Sequence, residues 1–177
     1  ALGALAAGVG FYSAYPMAPS TGVMSYLTQY ETRYPLVVEQ AEDEISAINS
    51  VIGAASNGLR SMTSTSGGGF ALMVEGLGFA AVAEVPVVML DVQRPGPATG
   101  MATRTEQSDL NFVLNASQGE FPRIILSFNS IEDAFYKTFR AFNLADKYRV
   151  PVILLSDQYL ADSTSTVKEP DLKSLKI

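Results

Sequence analysis

Two stretches of this chain, VPVVMLDV (Val85 to Val92) and VPVILLSD (Val150 to Asp157), are apolar at nearly every position rather than at alternate ones. A strand with one face in water alternates apolar and polar residues. Continuous Val/Ile/Leu runs belong to strands covered on both faces, as in a parallel sheet layered between helices. RIILSF (Arg123 to Phe128) has the same character, and FYSAYP (Phe11 to Pro16), PLVVEQ (Pro35 to Gln40) and SMTST (Ser61 to Thr65) complete the strand candidates. Helical patterns fall between them over residues 20–33, 41–57, 70–83 and 131–149, the last opening on the capping-box-like SIED. Repeated strand–helix units predict an α/β domain of three layers, αβα, with a mostly parallel sheet. ALGALAAGVGF at the start reads as the back half of a helix feeding a strand, so the chain is expected to begin inside an element of a longer polypeptide. The domain is expected over residues 1–165, with 166–177 as a polar tail or linker to a further domain.

Composition narrows the chemistry. With 177 residues, 47% hydrophobic and 17% charged, the chain can bury one sizeable core. Its 12 Lys and Arg against 18 Asp and Glu, with no basic run, make nucleic acid and anionic membrane surfaces poor partners. No apolar run approaches the roughly 20 residues of a membrane span. Cysteine and histidine are both absent, which excludes disulfides, thiolate-held clusters, Ser-His-Asp triads and imidazole metal sites. Any acid–base work must come from carboxylates, Lys, Arg, Tyr or a cofactor.

In parallel sheets, ligands sit beyond the C-terminal ends of the strands. That rule selects four loops: YPMAPSTG, EQAEDE, TSTSGGGF and QRPGPATGMATRTEQSD. TSGGGF places three glycines before a helix, which suits close approach by an anion or a ring as well as it suits a tight turn. The 17-residue loop after VPVVMLDV is long enough to suggest function. Its Arg94 could offer a planar fork to a carboxylate, or could simply pair with Asp91 or Glu106. In VVEQAEDEISAINSVIGAA, helical spacing sets Glu42 with Ser46 and Asn49, and Asp43 with Ala47 and Ser50. Glu44 instead heads the apolar row Ile48, Val51 and Ala55, beside Ile45 and Ile52. A buried carboxylate without a partner costs several kcal/mol, so Glu44 is a candidate working acid.

YPMAPST, VVEQAEDEISAINSVIGAA, TSTSGGGFALMVEGLGFA, QRPGPATGMATRTEQSDL, GEFPRIILS and VPVILLSDQYLADS together resemble the α-subunit core of 2-oxoacid:ferredoxin oxidoreductases, in the 2-oxoglutarate or general 2-oxoacid branch. The resemblance implies the pyrimidine-binding domain of a cytoplasmic thiamine diphosphate enzyme, catalysing oxidative decarboxylation of a 2-oxoacid to acyl-CoA. It implies that Glu44 is the catalytic glutamate that hydrogen-bonds N1′ of the aminopyrimidine and promotes loss of the thiazolium C2 proton. Tyr15, Pro16, Ser66 and Gly67 fall with Glu44 at cofactor positions, and Arg94, Thr103 and Ala18 at substrate positions. No metal ligand is implied on this chain. Diphosphate and Mg²⁺ would be held by a β subunit, and electrons would leave through iron–sulfur clusters to ferredoxin, with coenzyme A as co-substrate. Two departures bear on the choice of oxoacid: Ala18 stands where the family's YPITPS has threonine, and Gln118 precedes GEFP where histidine is common. The alternative is a binding or scaffolding domain of the same fold that has lost turnover.

Overall fold

The computed structural model describes all 177 residues. Six parallel strands form one sheet in the order β2-β1-β3-β4-β6-β5. They are β1 (Phe11–Ala14), β2 (Val37–Gln40), β3 (Ser61–Thr65), β4 (Val88–Gln93), β5 (Ile124–Ser127) and β6 (Val152–Asp157). The helices are α1 (Leu2–Ala6), α2 (Thr21–Thr28), α3 (Glu44–Ser56), α4 (Gly67–Val82), α5 (Leu110–Asn115), α6 (Ile131–Tyr148) and α7 (Gln158–Asp162). The expected strands are all present, with Ser61–Thr65 matching end to end and the others trimmed or shifted by a few residues. No helix is long and apolar enough to cross a membrane.

β4 is buried at every position, as its continuous apolar run required, and β3 is buried throughout as well although it is mostly Ser and Thr. Two apolar cores flank the sheet. One joins Tyr12, Met62 and Leu154 to α1, α2 and α6 through Ala4, Leu27 and Phe142. The other joins Met89 and Ile153 to α3, α4 and α5 through Ile48, Phe70, Met73 and Val113. This is the three-layer αβα arrangement.

Helix ends follow local chemistry. Ser130 caps α6 by accepting from the Asp133 N–H at 3.1 Å, and Lys137 pairs with Asp133 one turn on at 2.7 Å. α6 ends at Arg149 in the left-handed region, φ 56°, two residues before Pro151. α3 opens at its N-cap Asp43, whose carboxylate accepts from the Ser46 N–H at 2.7 Å. The tail folds back on α6: Leu175 packs against the first core, and Asn143 donates to the Lys176 carbonyl. A cavity of about 780 Å³ lies between α1, α2, α6 and this tail.

Candidate functional site

From β1 the chain moves outward to β2, then crosses back through α3 to β3 and continues in the other direction. The order therefore reverses between β1 and β3, and a sheet of this kind binds ligands in the crevice at such a point. Tyr15 and Pro16 follow β1 there, and Ser66 and Gly67 follow β3. Tyr15 is exposed, whereas Ser66 is fully buried and its hydroxyl has no partner.

Glu44 begins α3 and is 3% exposed, with Oε1 buried and unpartnered. Its place is set by the packing of α3 on α4. A methyl added at Gly76 would lie 2.8 Å from Ile48 Cγ2, so the two helices meet there backbone to side chain. At the sheet edge, a methyl on Gly69 would lie 2.0 Å from Thr65 Oγ1 and 2.6 Å from Glu44 Oε1. Any side chain at position 69 would collide with Thr65 and the Glu44 carboxyl, so a glycine is required there. The other acids behave as their faces predicted, with Glu42 in water and Asp43 spent on the cap. Ile45, expected beside the apolar row, is 51% exposed while Glu44 is buried.

Arg94 directly follows β4 and is 8% exposed. It pairs with neither Asp91 nor Glu106. Its guanidinium donates to the Ala18 carbonyl at 2.6 Å and to the Thr99 carbonyl at 2.9 Å. The loops after β1 and β4 are thereby tied across β3. Two of its five guanidinium donors are used in this brace. Thr103 is not brought to Arg94 by any hydrogen bond; it is exposed and lines a groove with Arg104, Gln158 and Tyr159. Ala18 is exposed, with its carbonyl taken by Arg94.

A second group of acids, unforeseen from the sequence, lies beside this edge. Asp91, in mid-β4, is fully buried, and Asp109 at the return of the long loop lies against it. Burial, then the charge of Asp109, holds the Asp91 carboxyl well above the usual range. The signal was available in principle: a carboxylate inside VPVVMLDV poses the same question as Glu44.

Residues 2–177 match the family model described as Pyruvate flavodoxin/ferredoxin oxidoreductase, thiamine diP-bdg. The chain is 46% identical over 184 residues to 2-oxoacid:ferredoxin oxidoreductase 1, subunit alpha, of Aeropyrum pernix, covering 100% of this chain and 29% of that protein. It is 43% identical to the 2-oxoglutarate synthase subunit KorA of Methanothermobacter marburgensis, over 97% of this chain and 46% of the relative. The solved 2-oxoglutarate:ferredoxin oxidoreductase from Magnetococcus marinus, with 2-oxoglutarate, coenzyme A and succinyl-CoA bound, superposes with a TM-score of 0.97 at 45% identity. That match covers 99% of this chain and 31% of the solved one. The chain spans less than half the length of each of these relatives.

Proposed function

The chain belongs to the pyruvate flavodoxin/ferredoxin oxidoreductase family in its thiamine diphosphate-binding part, and from that membership we propose that it forms the aminopyrimidine-binding half of the cofactor site in a 2-oxoacid:ferredoxin oxidoreductase. The observation that carries this reading is the buried, unpartnered Oε1 of Glu44 facing Gly69. Buried polar atoms are nearly always hydrogen-bonded, so this oxygen calls for a ligand atom. Gly69 carries no side chain, so Thr65 and the Glu44 carboxyl come against the α4 backbone there, and an aminopyrimidine nitrogen is a donor or acceptor suited to the unpartnered oxygen.

Bound thiamine diphosphate supplies the carbon nucleophile and electron sink for decarboxylating a 2-oxoacid. Glu44 would hold a proton at Oε1 between itself and a ring nitrogen, the acid–base role that the cofactor requires of the protein. Tyr15 and Pro16 after β1, and Ser66 and Gly67 after β3, would flank the ring at the switch point. Arg94, braced by two carbonyls, presents its remaining donors to the substrate carboxylate. Thr103 assists from the same loop, and Ala18 supplies a methyl group at the substrate side.

The whole enzyme is read as a cytoplasmic complex that converts a 2-oxoglutarate-like acid to its acyl-CoA and passes electrons to ferredoxin. Residues 1–165 form the pyrimidine domain and 166–177 its link onward. The diphosphate and Mg²⁺ are assigned to a β subunit, because this chain has no Gly-Asp dipeptide of the kind that motif uses. Iron–sulfur clusters are assigned to other domains or subunits, since their thiolate ligands need cysteine and this chain has none.

Glu44→Gln in the complete complex tests the reading. Glutamine keeps the shape and a hydrogen bond but cannot pass a proton. The variant should bind thiamine diphosphate yet exchange its C2 proton about 10²-fold or more slowly. Near-normal exchange by NMR would sink the assignment.

A further inference from the structure

Asp91 and Asp109 have no part in the reaction proposed above. Asp91 is 0% exposed, and neither of its carboxyl oxygens receives a donor from any other group. Oδ2 of Asp109 is buried without a donor as well. The two carboxyls lie within hydrogen-bonding reach of each other. Two carboxylates can only accept, so this contact is a hydrogen bond only when one proton sits between them. Asp91 is the partner that holds it. Burial, the Asp109 charge and the bond to Asp109 all raise its pKa. Asp109 is raised by burial and by Glu106, but its bond from Asp91 acts in the opposite direction.

The pair sits at the base of the loop that carries Arg94. The Asp109 N–H donates to Gln93 Oε1 at 3.0 Å, and Gln93 Nε2 donates to the Ser156 carbonyl on β6 at 3.0 Å. The Asp109 carboxyl also abuts the start of α4, where a methyl on Gly67 would lie 2.6 Å from Oδ2. No cation neutralises the pair. Arg94 is turned to Ala18 and Thr99, Asp157 at the end of β6 accepts from Leu160 and Gln107, and the first turn of α4 carries no acid.

We infer that Asp91 and Asp109 form a one-proton latch, which fastens the returning end of the Arg94 loop to β4 and to the Gly67 turn and releases it when the proton leaves. Deprotonation would set two carboxylates in contact inside the protein, with no counter-ion. The loop end then separates from β4, because Asp109 is already partly exposed, and moving it into water parts the two charges.

Amide hydrogen exchange over residues 94–109 in the full-length protein tests this, with wild type compared with Asp91→Asn. The asparagine amide donates to Asp109 at every pH, so the latch stays shut. After correction for base-catalysed exchange, wild-type protection should be level below the ordinary carboxylate range, fall by up to about tenfold per pH unit between there and the raised folded-state pKa of Asp91, and level off above it. Asp91→Asn should stay level throughout. Superimposable profiles overturn the latch. Melting midpoints give a second measure. Folded Asp91 keeps its proton where the unfolded chain releases it near the ordinary 3.8, so stability falls as pH rises between the two pKa values. Asp91→Asn should lessen that fall, and an unchanged slope would also count against the latch. Neither measurement uses substrate or cofactor, so the latch can fail while the proposed reaction stands.

Discussion

Gly69→Ala probes the geometry around Glu44 directly. The new methyl would lie 2.0 Å from Thr65 Oγ1, 2.6 Å from Glu44 Oε1 and 2.9 Å from Glu44 Cγ, all inside the closest separation that side chains tolerate. Thr65 is β-branched and 1% exposed at the end of β3, so it has little freedom to rotate away. Glu44 could swing its terminal oxygen, but the contact at Cγ forces the whole side chain to shift. Overpacking costs about 1–3 kcal/mol, and displacing two neighbours places this site near about 3. Alanine regains about 1 kcal/mol of helix propensity over glycine, leaving a net loss of about 2 kcal/mol. Gly53→Ala, on the outer face of α3, is the control. Its methyl meets nothing within 4 Å and should stabilise by about 0.5–1 kcal/mol. At about 2–4 °C per kcal/mol for a domain of this size, the first variant should melt about 4–8 °C lower. The second should melt slightly higher. Thiamine diphosphate affinity, measured by calorimetry on the complete complex, should fall for Gly69→Ala and hold for Gly53→Ala. Equal midpoints together with equal affinities would refute the close packing of α4 on Glu44.

Two further outcomes follow from the same site. Arg94→Ala removes a buried cation from its two carbonyls and from the proposed substrate carboxylate, at a cost of about 2–5 kcal/mol. The KM for 2-oxoacids should rise far more than cofactor affinity falls, and an unchanged KM would confine Arg94 to bracing the loops. The 177-residue chain alone should show no thiamine diphosphate binding at micromolar concentration and no decarboxylation, because the proposed grip on the diphosphate lies elsewhere. Tight, Mg²⁺-dependent binding to this chain by calorimetry would refute the divided site.

The layers were legible because burial on both faces writes itself into a strand as an unbroken apolar run, and β4 and β6 both carry buried stretches of that kind, whereas β3 is buried with Ser and Thr at four of its five positions. Glu44 was legible for a related reason, as a charge on an apolar face. Ile45 was not. It shares its azimuth with Ile52, which is buried, yet as the second residue of α3 it is half exposed. Periodicity reports direction around a helix and is blind to position along it. α5 and α7 were missed because five or six residues are too few to show a period. The environment of Arg94 was out of reach for another reason. Its partners are main-chain carbonyls, and a carbonyl leaves no letter in the sequence. The Asp91–Asp109 contact spans a long loop, so only the oddity of an acid in a buried strand pointed toward it.

That choice of carbonyls by Arg94 has an evolutionary consequence. A brace built between two side chains is lost when either mutates, and its repair requires a paired change. A brace onto the carbonyls of Ala18 and Thr99 survives any replacement there that keeps the backbone path. Positions 18 and 99 can therefore drift while the loops stay in register. If the proposed substrate side lies there, single substitutions can explore its shape and polarity without first loosening the scaffold that holds it.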